Sequence, residues 1–114
     1  MKNMFISRDW SVEERRALNA SEIVSGLIKA DGWSLSGDGD FVAIEKTFNF
    51  ADYFETIAFV NALAFIAHRQ EHHPDISVHY NHCVVRFSTH DVHGISATDL
   101  ECAVQANALL MPLS

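Results

Sequence analysis

The chain reads as an α+β domain over residues 1–114: a four-stranded antiparallel sheet with three helices packed on one face, in the order α-β-β-α-β-β-α. Three observations predict this class. Residues alternate between apolar and polar over 42–50 and again over 76–87, which is the period of a strand. The second of these runs folds back on itself at an Asn-His pair, as a hairpin does, and hairpins make antiparallel sheets. Between the two runs lies an unbroken helical pattern from Tyr53 to about Glu71.

The first helix is expected from about Val12. Ser11-Val12-Glu13-Glu14 has the spacing of a capping box, and Leu18, Ile23, Leu27 and Ile28 recur at helical intervals before Asp31-Gly32 stops the pattern. Asn19-Ala20-Ser21 is polar, so a break into two short helices is also open. A short strand is expected at Trp33, followed by a loop over Ser34 to Asp40, where Gly, Ser and Asp dominate. Val42, Ile44, Phe48 and Phe50 then form one side of a strand whose apolar face is interrupted by Lys46.

Asp52 is placed to cap the long helix. Ile57, Val60, Ala64 and Ala67 make one apolar stripe on it; Phe59, Leu63 and Ile66 make a second, and Phe54, Ala58, Ala62 and Phe65 a third. A helix apolar on nearly every side must bury more than one face. In a domain this small, the second buried face predicts a subunit contact, hence a homodimer or homotetramer. After Pro74, Ile76, Val78 and Tyr80 alternate with Ser77 and His79; Asn81-His82 is the expected turn, and Cys83 to Phe87 the return strand. Ser96-Ala97-Thr98-Asp99 opens a last helix, with Leu100, Ala103, Val104 and Leu110 expected inward.

Bulk composition excludes several function classes. With 48% hydrophobic and 20% charged residues the chain is globular rather than disordered. A net charge of −7, with only eight Lys and Arg, argues against a nucleic-acid surface. Cys83 and Cys102 form neither a disulfide framework nor a CxxC pair, which points to a reducing compartment. The opening MKNMFISRDW lacks the apolar run of a signal peptide, and no stretch is long and apolar enough for a membrane span. A cytoplasmic protein is expected.

Candidate chemistry centres on Glu71-His72-His73-Pro74-Asp75 and Ser88-Thr89-His90-Asp91. A tight hairpin between the two segments brings three imidazoles to one pocket. Imidazole titrates near neutrality, so this arrangement suits proton transfer with neither a metal nor a covalent nucleophile. Pro74 drives the residue before it out of helical geometry, so His72 and His73 can diverge around one ligand. The hydroxyls of Ser88 and Thr89, with Asp91, are placed to orient His90. His79, His82 and His93 are expected to face solvent. His68-Arg69-Gln70-Glu71-His72 spells the inverted zinc-peptidase motif H-x-x-E-H. Its only downstream glutamate is Glu101, however, and the chain is too short for a peptidase fold.

The run HHPDISVHYN, then STHD, then G-I-S-x-x-D over Gly94 to Asp99, resembles the pterin-4a-carbinolamine dehydratase family in its bacterial form. The likeness extends upstream through Glu13-Glu14-Arg15, Gly32-Trp33, Thr47-Phe48-Asn49-Phe50 and Phe59-Val60-Asn61, and so spans nearly the whole chain. Cys83 stands where the family's motif usually has valine, and His68 where an acidic or polar residue is common.

That resemblance implies the same α+β fold, three functional histidines at His72, His73 and His90, and no cofactor or metal. It implies a pterin-contacting surface made of Glu71, His72, His73, Pro74, Ser88, Thr89, His90, Asp91 and Val92. The implied activity is loss of water from a 4a-hydroxytetrahydropterin to give the quinonoid dihydropterin, with imidazoles as acid and base, in tetrahydropterin recycling. Two other readings stand beside it. Animal members of the family also act as dimerisation cofactors of a homeodomain transcription factor, and some relatives handle molybdopterin-type compounds. An adaptor alone would have no need of all three histidines, and they are present here.

Overall fold

The computed structural model describes residues 16–37 and 42–111. The expected Ser11–Glu14 capping box and helix start at Val12 lie outside those residues. Within them the order is α1 (Ala20–Lys29), β1 (Ser34–Ser36), β2 (Ala43–Asn49), α2 (Tyr53–Arg69), β3 (Asp75–Val78), β4 (His82–Phe87), a 3₁₀ turn at His90–Val92, and α3 (Ala97–Ala108). Three helices and a four-stranded antiparallel sheet, ordered β1-β2-β4-β3, give the α+β class that the periodicities predict.

Several boundaries differ from expectation, each for a local reason. Residues 16–19 are not helical, and α1 starts at Ala20 because Asn19 caps it. Asn19 Oδ1 accepts from Glu22 N–H at 2.9 Å while Glu22 Oε1 accepts from Asn19 N–H at 3.0 Å, a reciprocal box that starts the helix there. Arg16 adds two hydrogen bonds to the Glu22 carboxylate. Those bonds, with the Asn19 amide, hold Glu22 down at about 2. The first strand falls at Ser34–Ser36 rather than at Trp33, whose ring is buried instead against Phe48 and Phe87. The β3–β4 turn is Tyr80–Asn81, one residue earlier than expected, because His82 already pairs with Asn49 of β2.

The core lies between the sheet and the helices. Ile44 and Phe48 of β2 and Cys83, Val85 and Phe87 of β4 face Phe59 and Leu63 of α2 and Cys102, Ala103 and Ala106 of α3. Lys46 belongs to this face by strand alternation, and the fold accommodates it at the core's edge. Its ammonium donates to Asp31 O at 2.9 Å and to Asn107 Oδ1 at 2.8 Å, and lies 4.8 Å from the centre of the Phe48 ring. Asn107 Oδ1 also accepts from Trp33 Nε1, and Asn107 Nδ2 donates back to Asp31 O. One amide therefore ties the end of α3 to the α1–β1 turn. Gly26 lets α1 and α3 approach closely, since a Cβ there would lie 2.2 Å from Leu100 Cδ1.

Helix α2 buries Thr56, Phe59, Leu63 and Ala67, so its inward face combines parts of two expected stripes. The third stripe, with Phe54 and Phe65, is the one left exposed. In α3 the inward residues are Cys102, Ala103 and Ala106, while Val104 and Leu110, expected inward, are exposed.

Candidate active site

The end of α2 sets the position of the first two histidines. The helix stops at Arg69, with Gln70 as its cap and Glu71 in the left-handed region at φ 54°. Glu71 N–H donates to His68 O, and His72 N–H reaches back to Ala67 O at 2.9 Å. This pairing is a Schellman motif with a glutamate in the place glycine usually takes. The chain turns before Pro74, so the helix break is made at Gln70–Glu71 rather than by the proline. It also takes His72 off the helical path, so the i, i+4 metal geometry read from H-x-x-E-H is not formed.

His72 enters the protein and His73 stays outside. The His72 side chain is 7% exposed and its ring stacks on Phe87, 5.9 Å between centroids and 12° from parallel. Its Nε2 lies 2.5 Å from Asp99 Oδ1. The second oxygen of Asp99 accepts from Thr89 Oγ1 at 2.7 Å and from Ser96 N–H at 2.8 Å. Thr89 Oγ1 and Ser96 Oγ share a further hydrogen bond of 2.7 Å. Asp99 is fully buried, and this set of hydrogen bonds satisfies both of its carboxyl oxygens there. It sits in the first turn of α3, near the positive end of the helix dipole. A carboxylate accepting the Nε2 proton orients the ring and fixes its tautomer, so that a further proton goes to Nδ1.

The third histidine hangs from a closed loop. Thr89 and Gly94 form an isolated antiparallel bridge, with Thr89 N–H donating to Gly94 O at 2.9 Å. Between them His90–Val92 makes one 3₁₀ turn, and His93 takes the left-handed conformation, φ 52°, that reverses the chain. His90 is thereby held exposed at the rim. The Thr89 hydroxyl does not orient His90, as its position in the sequence suggested; it serves Asp99 and Ser96.

These segments enclose a cleft of about 260 Å³ lined by Glu71, His72, His73, Ser88, Thr89, His90 and Asp91. Its size falls just below the usual range for small-molecule sites, about 300–1,000 Å³. Of the nine pterin-contacting residues named from the sequence, Pro74 and Val92 do not line it. The cleft thus brings together all three histidines, one buried and two exposed at the rim. Sequence reasoning missed Asp99 as the anchor of His72. The S-x-x-D spacing of Ser96–Asp99 marks a helix start, and nothing in it says that the same carboxylate reaches a residue 27 positions earlier.

Comparison with known proteins places the chain in a family. The family model described as pterin 4 alpha carbinolamine dehydratase matches residues 16–109. A protein of Paracidovorax citrulli provisionally named pterin-4-alpha-carbinolamine dehydratase is 63% identical over 108 residues, 95% of this chain and 93% of its own length. A Stenotrophomonas maltophilia protein of the same provisional name is 52% identical, over 81% of this chain and 78% of its own length. The crystal structure of a transcriptional coactivator/pterin dehydratase from Brucella melitensis superimposes with a TM-score of 0.78 at 29% identity, covering 84% of this chain and 100% of that one. The fold is shared more distantly, with a TM-score of 0.56 and 22% identity, by a pterin dehydratase-like protein that is a RuBisCO assembly factor in the alpha-carboxysome; 71% of this chain and 92% of that one are covered. The chain belongs to the pterin-4-alpha-carbinolamine dehydratase family.

Proposed function

We propose that the cleft dehydrates a 4a-hydroxytetrahydropterin by proton transfer among His72, His73 and His90, and that it does so in tetrahydropterin recycling. The observation that carries this reading is the meeting of all three imidazoles on one cleft, with His72 locked to a buried carboxylate. The substrate carries its hydroxyl on C4a beside the N5 amine. A protonated imidazole donates to the departing oxygen as the C4a–O bond breaks, and the N5 lone pair forms the C=N bond. The resulting iminium cation loses its N5 proton to a neutral imidazole, leaving quinonoid dihydropterin and water. His72 and His90 are assigned to acid and base, with His73 chiefly holding the pterin. Each proton transfer of this kind is worth about 10²–10⁴-fold in rate, or roughly 3–5 kcal/mol of barrier.

Glu71, Ser88, Thr89 and Asp91 supply the polar wall against which the pterin's ring nitrogens and carbonyl oxygen are recognised. No helix among the described residues is long and apolar enough to cross a membrane. A cytoplasmic homo-oligomer, dimer or tetramer, with no nucleic-acid partner, is part of the same proposal; the exposed apolar stripe on α2 supports the oligomer. The direct test is to supply freshly prepared 4a-carbinolamine with and without the protein and follow quinonoid absorbance. Acceleration over the uncatalysed rate is expected; no acceleration overturns the assignment.

A further inference from the structure

We propose that the tip of the β3–β4 hairpin binds a divalent transition-metal ion through His79 and His82. These two residues face each other across the Tyr80–Asn81 turn, with His79 N–H donating to His82 O at 2.8 Å. The neighbour of His82, Cys83, points into the core, so alternation sends both imidazoles to the opposite face of the sheet, away from the helices. There the rings stack, 4.3 Å between centroids and 8° from parallel. Two imidazoles held this close need only a small tilt to direct one nitrogen each at a common ion.

The hydrogen bonds around the pair favour that use. His82 Nδ1 lies 3.0 Å from Asn81 Oδ1. An amide oxygen only accepts, so Nδ1 carries the proton and Nε2 keeps its lone pair. This is the arrangement in which an outer partner fixes the tautomer of a metal-binding histidine. His79 Nε2 meets Ser77 Oγ at 3.4 Å, a hydroxyl able to donate or accept. Asn49, paired with His82 in the β2–β4 register, shares the same face and offers an amide at the rim. Imidazole ligands select zinc, copper and nickel over magnesium or calcium.

Among the described residues no three His, Cys, Asp or Glu side chains are grouped to hold a metal, so water completes the coordination. The site is therefore an open and exchangeable one, unlike a closed structural zinc centre. It lies at the far end of β4 from the catalytic cleft: the six residue steps from His82 to Ser88 span roughly 20 Å at about 3.3 Å per step. An ion bound there clips the two strands whose opposite ends carry the cleft histidines, and it binds only the folded hairpin, so it raises the unfolding temperature.

Zinc chloride is titrated into the full-length protein by calorimetry, with long-range ¹H–¹⁵N spectra of the histidine rings recorded in parallel. Saturable binding of about one ion per chain is expected, with shifts at the His79 and His82 ring nitrogens. His79→Ala should remove that binding, with His79→Gln as a second variant should the alanine form fold poorly by circular dichroism. Asn81→Ala, which frees the tautomer, should weaken it about 10- to 100-fold, while dehydratase turnover stays at the wild-type level in every variant. Zinc shifts confined to His72, His73 and His90, unchanged binding in His79→Ala, or the absence of a saturable heat would each overturn the proposal.

Discussion

Asp99 holds His72 across 27 residues of sequence, its Oδ1 2.5 Å from the ring Nε2, so the start of α3 governs an imidazole presented by the end of α2. Because Asp99 works through His72 and is otherwise satisfied by Thr89 and Ser96, Asp99→Asn should keep the fold and lower turnover. The loss should not exceed that of His72→Ala, and the double variant should be no worse than His72→Ala alone, since residues acting as a unit are strongly non-additive. A shifted pH–rate profile in Asp99→Asn is the signature of a positioning role. Additive losses with an unshifted profile would show that the carboxylate acts independently.

The histidines themselves divide by position. His72→Ala and His90→Ala should each reduce turnover by about 10²–10⁴-fold, with circular dichroism unchanged. His79→Ala, at the other end of the same hairpin, should leave turnover intact. Activity should also survive exhaustive chelation, since the proposed steps move protons only. Damage from His79→Ala equal to the other two would mean that the cleft is not the catalytic pocket.

Much of this was legible from residue patterns, and the exceptions share a cause. The hairpins, the long helix and the segments bearing His72, His73 and His90 follow from local periodicity and turn chemistry, which one stretch of chain decides by itself. What could not be read is long-range. Lys46 breaks an apolar run, yet Asp31 and Asn107 receive it at the edge of the core. Thr89 looked like a partner for His90, but its hydroxyl belongs to Asp99, a residue on another element. The α2 stripes were visible, but which one faced outward depended on where α3 and the sheet packed. The helix that begins at Ala20 fits the break left open at Asn19-Ala20-Ser21: Asn19 caps it with Glu22 as reciprocal partner, inside a pattern of apolar residues that also reads as continuous.

Glu71 occupies a left-handed position that costs a non-glycine residue about 1–2 kcal/mol. Glu71→Gly should therefore raise the unfolding free energy measured in urea by about 1 kcal/mol while preserving the Schellman turn that delivers His72. Because the Glu71 side chain lines the cleft, KM should rise with little change in kcat. A stabilised variant with unchanged KM would remove Glu71 from the pterin-contacting set.

Cys83 is buried in the core beside Phe48 of β2, and burial pushes its thiol up to about 11 from 9.0. For a group whose folded value lies above its unfolded one, the stabilisation is complete below the unfolded value and is lost as pH climbs through the folded one. Stability should thus be unaffected by this group below pH 9 and decline between pH 9 and 11. Cys83→Val, apolar and close in size, should flatten that part of the curve in urea denaturation at stepped pH. A Cys83→Val curve parallel to wild type over that interval would assign the alkaline loss to other groups.

The exposed stripe of α2 is the face on which the proposed assembly is tested. Phe54 is 82% and Phe65 49% exposed, and Phe54 borders a groove of about 410 Å³ with Phe50, Ala58, Ala62, Leu109 and Leu110. Contiguous apolar surface of this kind is seldom left open on a soluble monomer, and closed two-fold symmetry is the commonest way to cover it. A homo-oligomer built on this face is therefore expected. Phe59, one of the residues that could have served as a probe, is buried against Phe48 and Phe50, so Phe59→Glu would unfold the core and report nothing on assembly. Phe54→Glu is the informative change: the wild type should scatter light as a dimer or larger, and the variant should dissociate with its helical signal intact. A wild-type mass near 12.8 kDa at micromolar concentration would show the stripe to be uncovered and assembly to be absent.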